Sequence, residues 1–254
     1  MREGEVPAVG AKASTIWYVD APDPATTLRN HREPDQHAAH ALASHLYPES
    51  VVVPLAVGPL STSAGIGGNG VYIGCYPGLT VVCGPQLEIA HPAKISPSWI
   101  RPLASEYTYL VSIDPVREWG AFATWERGEL RRSFSATKTN ILEDHGLPLV
   151  WERPFWAGEH PMEHTPGVIP DPQSLPFDPQ DFADAANERA LGFRYRGTPQ
   201  QGALDPAGIV VCGFALYGEG EEIPRAPVAA MSQPVEAVPA EAGFFKKWRR
   251  KQRR

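Results

Sequence analysis

Two apolar, strand-like runs joined at Pro77-Gly78, in VYIGCYPGLTVVCG, constrain the fold of this chain more than any other stretch. Proline sets φ for the first central position of a type II turn, and glycine supplies the positive φ of the second. If Tyr76 stands opposite Leu79, Val71, Ile73, Cys75, Thr80 and Val82 share one face, and Tyr72, Tyr76, Leu79, Val81 and Cys83 share the other. Cys75 and Cys83 then point apart. A type II turn is not the favoured closure of a two-residue hairpin, so a bulge is the alternative. A second hairpin is predicted in AFATWERGELRRSFS, with Arg127-Gly128 at its tip and Trp125–Leu130 and Ala121–Phe134 as cross-strand pairs. Further strands are predicted at Ser14–Asp20, at Ser50–Val57, where Pro54 implies an edge position or a bulge, at Tyr107–Asp114 and at Gly208–Tyr217.

Helical patterning is confined to a few places. Asp35 reads as the N-cap of a three-turn helix ending before Pro48. PQDFADAANERALGF reads as a second helix, with Phe182, Ala185, Ala186, Arg189 and Ala190 on its buried side and Gly192 as its stop. Ser96 opens a short helix broken near Pro102. Asn140 to Pro179, rich in proline and large aromatics, reads as a long loop. The expected fold is therefore α+β: mainly antiparallel sheet with two hairpins, covered by two or three helices and a long aromatic loop. The chain has 254 residues and is 43% hydrophobic, enough to bury a sizeable core. One globular domain is expected over residues 1–217, a Pro/Ala/Glu linker over 218–243 and a basic aromatic tail over 244–254.

Several stretches, in order, resemble one family of uncharacterised bacterial proteins. They are GAK before the first strand, YIGCYPGLTVVC, WGAFATWERGELRRSFS, PFWAGEHP and LPFDPQDFADAANERALGF. The family is known as a domain of unknown function common in high-GC Gram-positive bacteria, and the resemblance covers about residues 10–217. It implies one mixed α and β domain and carries no activity over to any residue.

The residues themselves offer few reactive settings. STSAGIGGNG, residues 61–70, is glycine-rich, but it leads into a strand and lacks GK[ST], so it reads as a connection and not as a phosphate cradle. Asp20, at a strand's end, is expected to shape a turn. His37 and His40 share a helix face without an acidic partner and read as solvated. GEHPMEH gathers Glu159, His160, Glu163 and His164. Of these, Glu159, His160 and His164 are the candidates for a metal or acid/base site, although Pro161 prevents a regular helix and further ligands such as Asp20, Asp144 or His145 would be needed. No serine or cysteine sits in a nucleophile motif. The three cysteines read as buried thiols, and no cofactor is expected.

The strongest functional signal is electrical. Seven of the 23 basic residues lie in the last eleven positions, so the other 16 face 29 acidic residues, a net charge of about −13 against +7. The linker has too few large apolar side chains to offset its ordering entropy, and at about 3 Å per residue it reaches on the order of 75 Å. The tail comprises Phe244, Phe245, Lys246, Lys247, Trp248, Arg249, Arg250, Lys251, Arg253 and Arg254 around Gln252. It suits an anionic membrane surface, and its chemistry also suits nucleic acid or an acidic protein. Met1 to Gly10 does not read as a secretion signal, and no run approaches the roughly 20 apolar residues of a membrane span, so the expected location is cytoplasmic and peripheral on the inner membrane face. The leading functional expectation is a non-enzymatic binding or adaptor module recruited to that surface. The alternatives are a metal-dependent or acid/base enzyme using the 159–164 loop, and nucleic-acid binding through the tail.

Overall fold

Nine antiparallel strands form one sheet in the order β2-β9-β3-β4-β1-β5-β6-β7-β8. The strands are β1 (Ala13–Val19), β2 (Val51–Pro59), β3 (Gly70–Tyr76), β4 (Leu79–Cys83), β5 (Tyr107–Asp114), β6 (Trp119–Glu126), β7 (Glu129–Thr137), β8 (Ile141–His145) and β9 (Val210–Tyr217). The helices are α1 (Pro24–Asn30), α2 (Gln36–Leu46), α3 (Leu60–Ser63), α4 (Pro97–Ile100), α5 (Arg153–Trp156) and α6 (Pro179–Leu191). This computed structural model describes residues 12–65, 67–162, 171–197, 202–218 and 220–221. His164, the linker beyond Glu221 and the whole basic tail lie outside the described residues.

The α+β class expected from the sequence holds, with a sheet larger than two hairpins supply. The Pro77-Gly78 hairpin has the expected register: Tyr76 pairs with Leu79 and the ladder runs without a shift to Tyr72 opposite Cys83. Gly78 has φ +64°, as the second position of the turn requires. The two faces come out as the alternation demands. Tyr76, Leu79, Val81 and Cys83 join a core beneath α6, while Val71, Ile73, Cys75 and Val82 join a second core beneath α2. All three cysteines are buried and free.

The second hairpin departs from its expected register in an instructive way. Arg127 (φ 51°) and Gly128 (φ 88°) make the tip, and Trp125 does pair with Leu130. The ladder then shifts, so that Thr124 faces Arg132 and Phe134 faces Phe122, not Ala121. Arg131 is the extra residue of a β-bulge, and a bulge turns every following side chain to the other face of the sheet. Phe134 and Arg132 are thereby placed under α6. Gly146 (φ +80°) makes room for the bulge, because a Cβ there would lie 2.1 Å from the Arg131 carbonyl oxygen.

Other expectations need correction. Asp23 and Pro24 open a helix, α1, that is not among the helices expected, and Asp23 Oδ1 accepts the Thr26 N–H at 3.0 Å. The 140–179 stretch is not all loop: β8 pairs with β7, and helical turns occupy Val150–Glu152 and Arg153–Trp156. Pro54 meets both halves of its prediction, since β2 is an edge strand and its pairing shifts between Pro54 and Val57. In α6, Arg189 is exposed, while Asp184 and Asn187 are buried. These two polar residues face inward because they bind the chain that follows. Asp184 accepts the N–H groups of Tyr195 and Arg196, and Asn187 Nδ2 donates to Phe193 O. His40 is half-buried, edge-on against Phe214 at 5.7 Å, and not fully solvated.

The core under α6 is aromatic. Phe182 sits 5.1 Å from Phe134, 4.4 Å from Phe177 and 5.0 Å from Phe155, ring centre to ring centre. Tilted and edge-on pairs of this kind add about 0.5–1.5 kcal/mol each beyond area burial. Gly120 lets the start of α6 approach the sheet, since a Cβ there would come within 2.2 Å of Pro179 O. The opposite core mixes aliphatic side chains with Tyr18, Trp125 and Phe214 and is roofed by α2, α4 and the 3₁₀ turns Pro85–Leu87 and Pro92–Lys94.

Candidate functional site

The most built concavity lies on the α6 face. It is an open cleft of about 630 Å³ lined by Tyr109, Phe122, Thr124, Leu149, Val150, Trp151, Ala186, Arg189 and Ala190. Three elements meet there: β5 and β6 form the floor, the last turns of α6 one wall and residues 149–151 the other. The second wall is a single 3₁₀ turn, too short to hold itself in place. A buried ion pair does so. Arg132 and Glu152 are both fully buried, with Arg132 Nε and Nη2 each donating to a Glu152 carboxylate oxygen at 2.9 Å. The same carboxylate accepts the Leu149 N–H at 3.0 Å, which closes the turn carrying Val150 and Trp151. Arg132 also donates to Asp144 and to the His145 carbonyl, and its guanidinium lies 5.7 Å from the centre of the Phe134 ring. Burial works against its charge, yet the contacts to Glu152 and Asp144 outweigh it and leave the guanidinium pKa raised. Trp151, fixed in this way, packs 5.5 Å from Phe122 and 5.2 Å from Phe182.

A second concavity of about 650 Å³ lies on the opposite face, by the Pro77-Gly78 turn. Its lining includes His31, Glu33, Asp35, Cys75 and Thr80. Asp35 is occupied as the α2 N-cap, accepting the N–H groups of His37 and Ala38. Burial pushes the Cys75 thiol up to about 11 although Thr80 hydrogen-bonds to it, so it stays protonated near neutrality. Burial raises Cys83 and Cys212 as well.

The groups singled out from sequence are dispersed. Asp20 Oδ1 accepts the Glu106 N–H at 2.7 Å, so it ties the end of β1 to the chain entering β5 instead of shaping its own turn. Glu159 and His160 are exposed, and His160 stacks on Phe155 at 4.2 Å. Asp144 is engaged by Arg132. Among the described residues no group of three His, Cys, Asp or Glu side chains is placed to hold a metal ion. Sequence reasoning missed the Arg132–Glu152 clamp, the cleft it shapes and buried Asp184, whose carboxyl burial lifts to about 6 against the two N–H groups it accepts. The paired charges in WERGELRR and VWERPFW were the available signal, but only the bulge at Arg131 turns Arg132 inward. Glu143, also unanticipated, is buried and accepts from Ser133 Oγ and from Ala93 N at 2.9 Å, with His91 Nδ1 3.7 Å away.

Fold and cleft together define an α+β domain built on a single antiparallel sheet, with helices on both faces and an aromatic cleft on one of them. The chain belongs to a family of unknown function, DUF6928, whose model matches residues 13–214. No curated protein and no solved structure matches the chain.

Proposed function

We propose that the protein is a non-enzymatic binding or adaptor module held at an anionic membrane surface by residues 244–254. The reading is carried by one observation: seven cations and three aromatic side chains crowd into the last eleven residues of a chain whose remainder is strongly acidic. Each basic residue near such a surface contributes about 1 kcal/mol, so three engaged cations alone favour binding on the order of a hundredfold. Phe244, Phe245 and Trp248 add interfacial burial. Binding is favoured over catalysis by where the reactive groups of the domain are committed. Arg132, Glu152, Asp144, Asp184 and Asp20 hold the backbone or one another. Cys75, the thiol lining a cleft, is held protonated by burial. No helix among the described residues is long and apolar enough to cross a membrane, so attachment in this reading is peripheral. A cytoplasmic location on the inner membrane face and an origin in high-GC Gram-positive bacteria belong to the same proposal.

The test is co-sedimentation of the full chain with vesicles of neutral lipid or of neutral lipid plus phosphatidylserine. A full-length variant with Lys246, Lys247, Arg249, Arg250, Lys251, Arg253 and Arg254 all changed to Gln is the control. Pelleting is expected only with the anionic vesicles and only for the unaltered tail. Equal pelleting of both proteins removes the tail's role, and displacement from vesicles by single-stranded DNA at equal charge reassigns the tail to nucleic acid.

A further inference from the structure

We infer that the α6-side cleft binds a small amphipathic monoanion, an aromatic or aliphatic group a few bonds from a carboxylate, with Arg189 receiving the charge. The inference rests on reading the domain as a binding module and is independent of the tail. The first observation is the lining. Phe122 forms a floor that is 2% exposed, and Tyr109, Leu149, Trp151, Ala186 and Ala190 supply apolar and aromatic walls. The volume of about 630 Å³ falls within the roughly 300–1,000 Å³ typical of small-ligand sites.

The second observation is charge. No acidic residue lines this cleft, although the domain as a whole is acidic. Of the arginines in β7, in α6 and in the segment after it, four are ion-paired: Arg131 with Glu126 and Glu129, Arg132 with Glu152, Arg194 with Glu188, and Arg196 with Asp178 and Asp181. Arg189, in the last turn of α6, makes no ion pair with a described residue and lines the cleft. An exposed guanidinium among the lining of an aromatic cleft is suited to a carboxylate, which accepts two parallel N–H bonds from it. The third observation is the remaining polarity. Thr124 offers a hydroxyl, and the Tyr109 phenol, pushed up to about 12 by burial and by neighbouring Tyr107 and Glu126, stays a neutral donor. The cleft therefore presents donors to an anion and no carboxylate among its lining residues.

Isothermal titration of the full chain with 4-phenylbutyrate, 4-phenylbutanol and 4-phenylbutylamine reads the charge preference directly. The carboxylate should bind about tenfold more tightly than the alcohol, and the amine more weakly than either. Arg189→Gln, at an exposed position that leaves the fold intact, should erase the advantage of the carboxylate and leave alcohol binding unchanged. Ala190→Leu, which fills the cleft, should weaken both. Absence of binding by all three compounds at millimolar concentration overturns the inference. So does equal binding of amine and carboxylate, or an Arg189→Gln protein that keeps the full carboxylate preference. Vesicle binding by the Arg189→Gln protein stays at the unaltered level, so failure here and failure of membrane recruitment are separately visible.

Discussion

The two clefts of this domain have nearly the same volume, about 630 and 650 Å³, and lie on opposite faces of one sheet, yet they carry opposite signs. On the α6 side the acidic groups are taken up by folding: Glu152 by Arg132, Asp184 by two backbone N–H groups and Asp178 as the α6 N-cap. What remains at the cleft is Arg189. On the α2 side Asp35 is likewise taken up as the α2 N-cap, and Glu33 is left lining the opening beside a protonated thiol. The sign of a site is thus set less by the charge of the chain, which is negative throughout the domain, than by which charges the fold consumes. The cores beneath the clefts differ too. One is a set of interlocked aromatic rings around a buried ion pair. The other is largely aliphatic around Tyr18, Trp125 and Phe214, has no buried ion pair among the described residues, and borders the Ser14, Ser112 and Ser135 hydroxyls, each at most 3% exposed and without a hydrogen-bond partner.

The largest effect should come from breaking the clamp that shapes the α6-side cleft. Glu152→Ala leaves Arg132 buried without its bidentate partner and should cost about 3–5 kcal/mol in urea unfolding. A loss below about 1 kcal/mol would mean that the pair does not hold the 149–151 wall. Next is Asp184→Ala, which orphans the Tyr195 and Arg196 N–H groups and should cost about 2–4 kcal/mol. Asp184 also sets a pH signature. Its folded pKa of about 6 lies above the ordinary carboxyl value, so the folded state holds the proton more tightly. The contribution of protonated Asp184 is complete below the unfolded pKa, near 4, and is lost as pH rises through about 6. Unfolding curves for the unaltered chain and Asp184→Asn should therefore diverge between pH 4 and 6, the unaltered chain losing up to about 3 kcal/mol relative to the variant. Parallel curves would place that carboxyl elsewhere in the titration.

Smaller effects probe the α2 side. Ser112→Ala removes a buried hydroxyl with no partner, so it should be neutral or stabilise by up to about 1 kcal/mol in the same unfolding assay. A loss of more than about 1 kcal/mol would show that the hydroxyl is satisfied, and the contrast between the two cores would narrow. Cys75 gives the smallest change. With its pKa raised to about 11, alkylation by iodoacetamide should be slow at pH 7 and quicken steadily toward pH 11. Fast reaction at neutral pH would contradict the burial that the α2-side cleft implies.

Much of this architecture was legible because it is local. The hairpin at Pro77-Gly78, strand β5, and the extents of α2 and α6 follow from turn chemistry, alternation and capping within a few residues of each element. What escaped was decided by contacts between distant segments. The register of the second hairpin depends on an extra residue at Arg131 that Gly146, fifteen positions away, makes room for. The inward turn of Asp184 depends on two backbone donors beyond the helix end. Helix α1 was the avoidable omission, since Asp23-Pro24 is an N-cap and first-turn signature. The cleft was not legible at all. Its lining comes from β5, β6, the 149–151 turn and α6, and no single stretch of sequence contains it.

Trp248 is one of seven tryptophans in the chain and the one that lies in the basic tail. The most direct test of the account is fluorescence of the full chain on phosphatidylserine-containing vesicles whose acyl chains are brominated, compared with the Trp248→Phe protein on the same vesicles. The account predicts quenching in the unaltered chain that disappears in Trp248→Phe, with vesicle binding retained through the remaining aromatics and cations. Quenching that persists undiminished in Trp248→Phe, or no quenching in either protein, would contradict it.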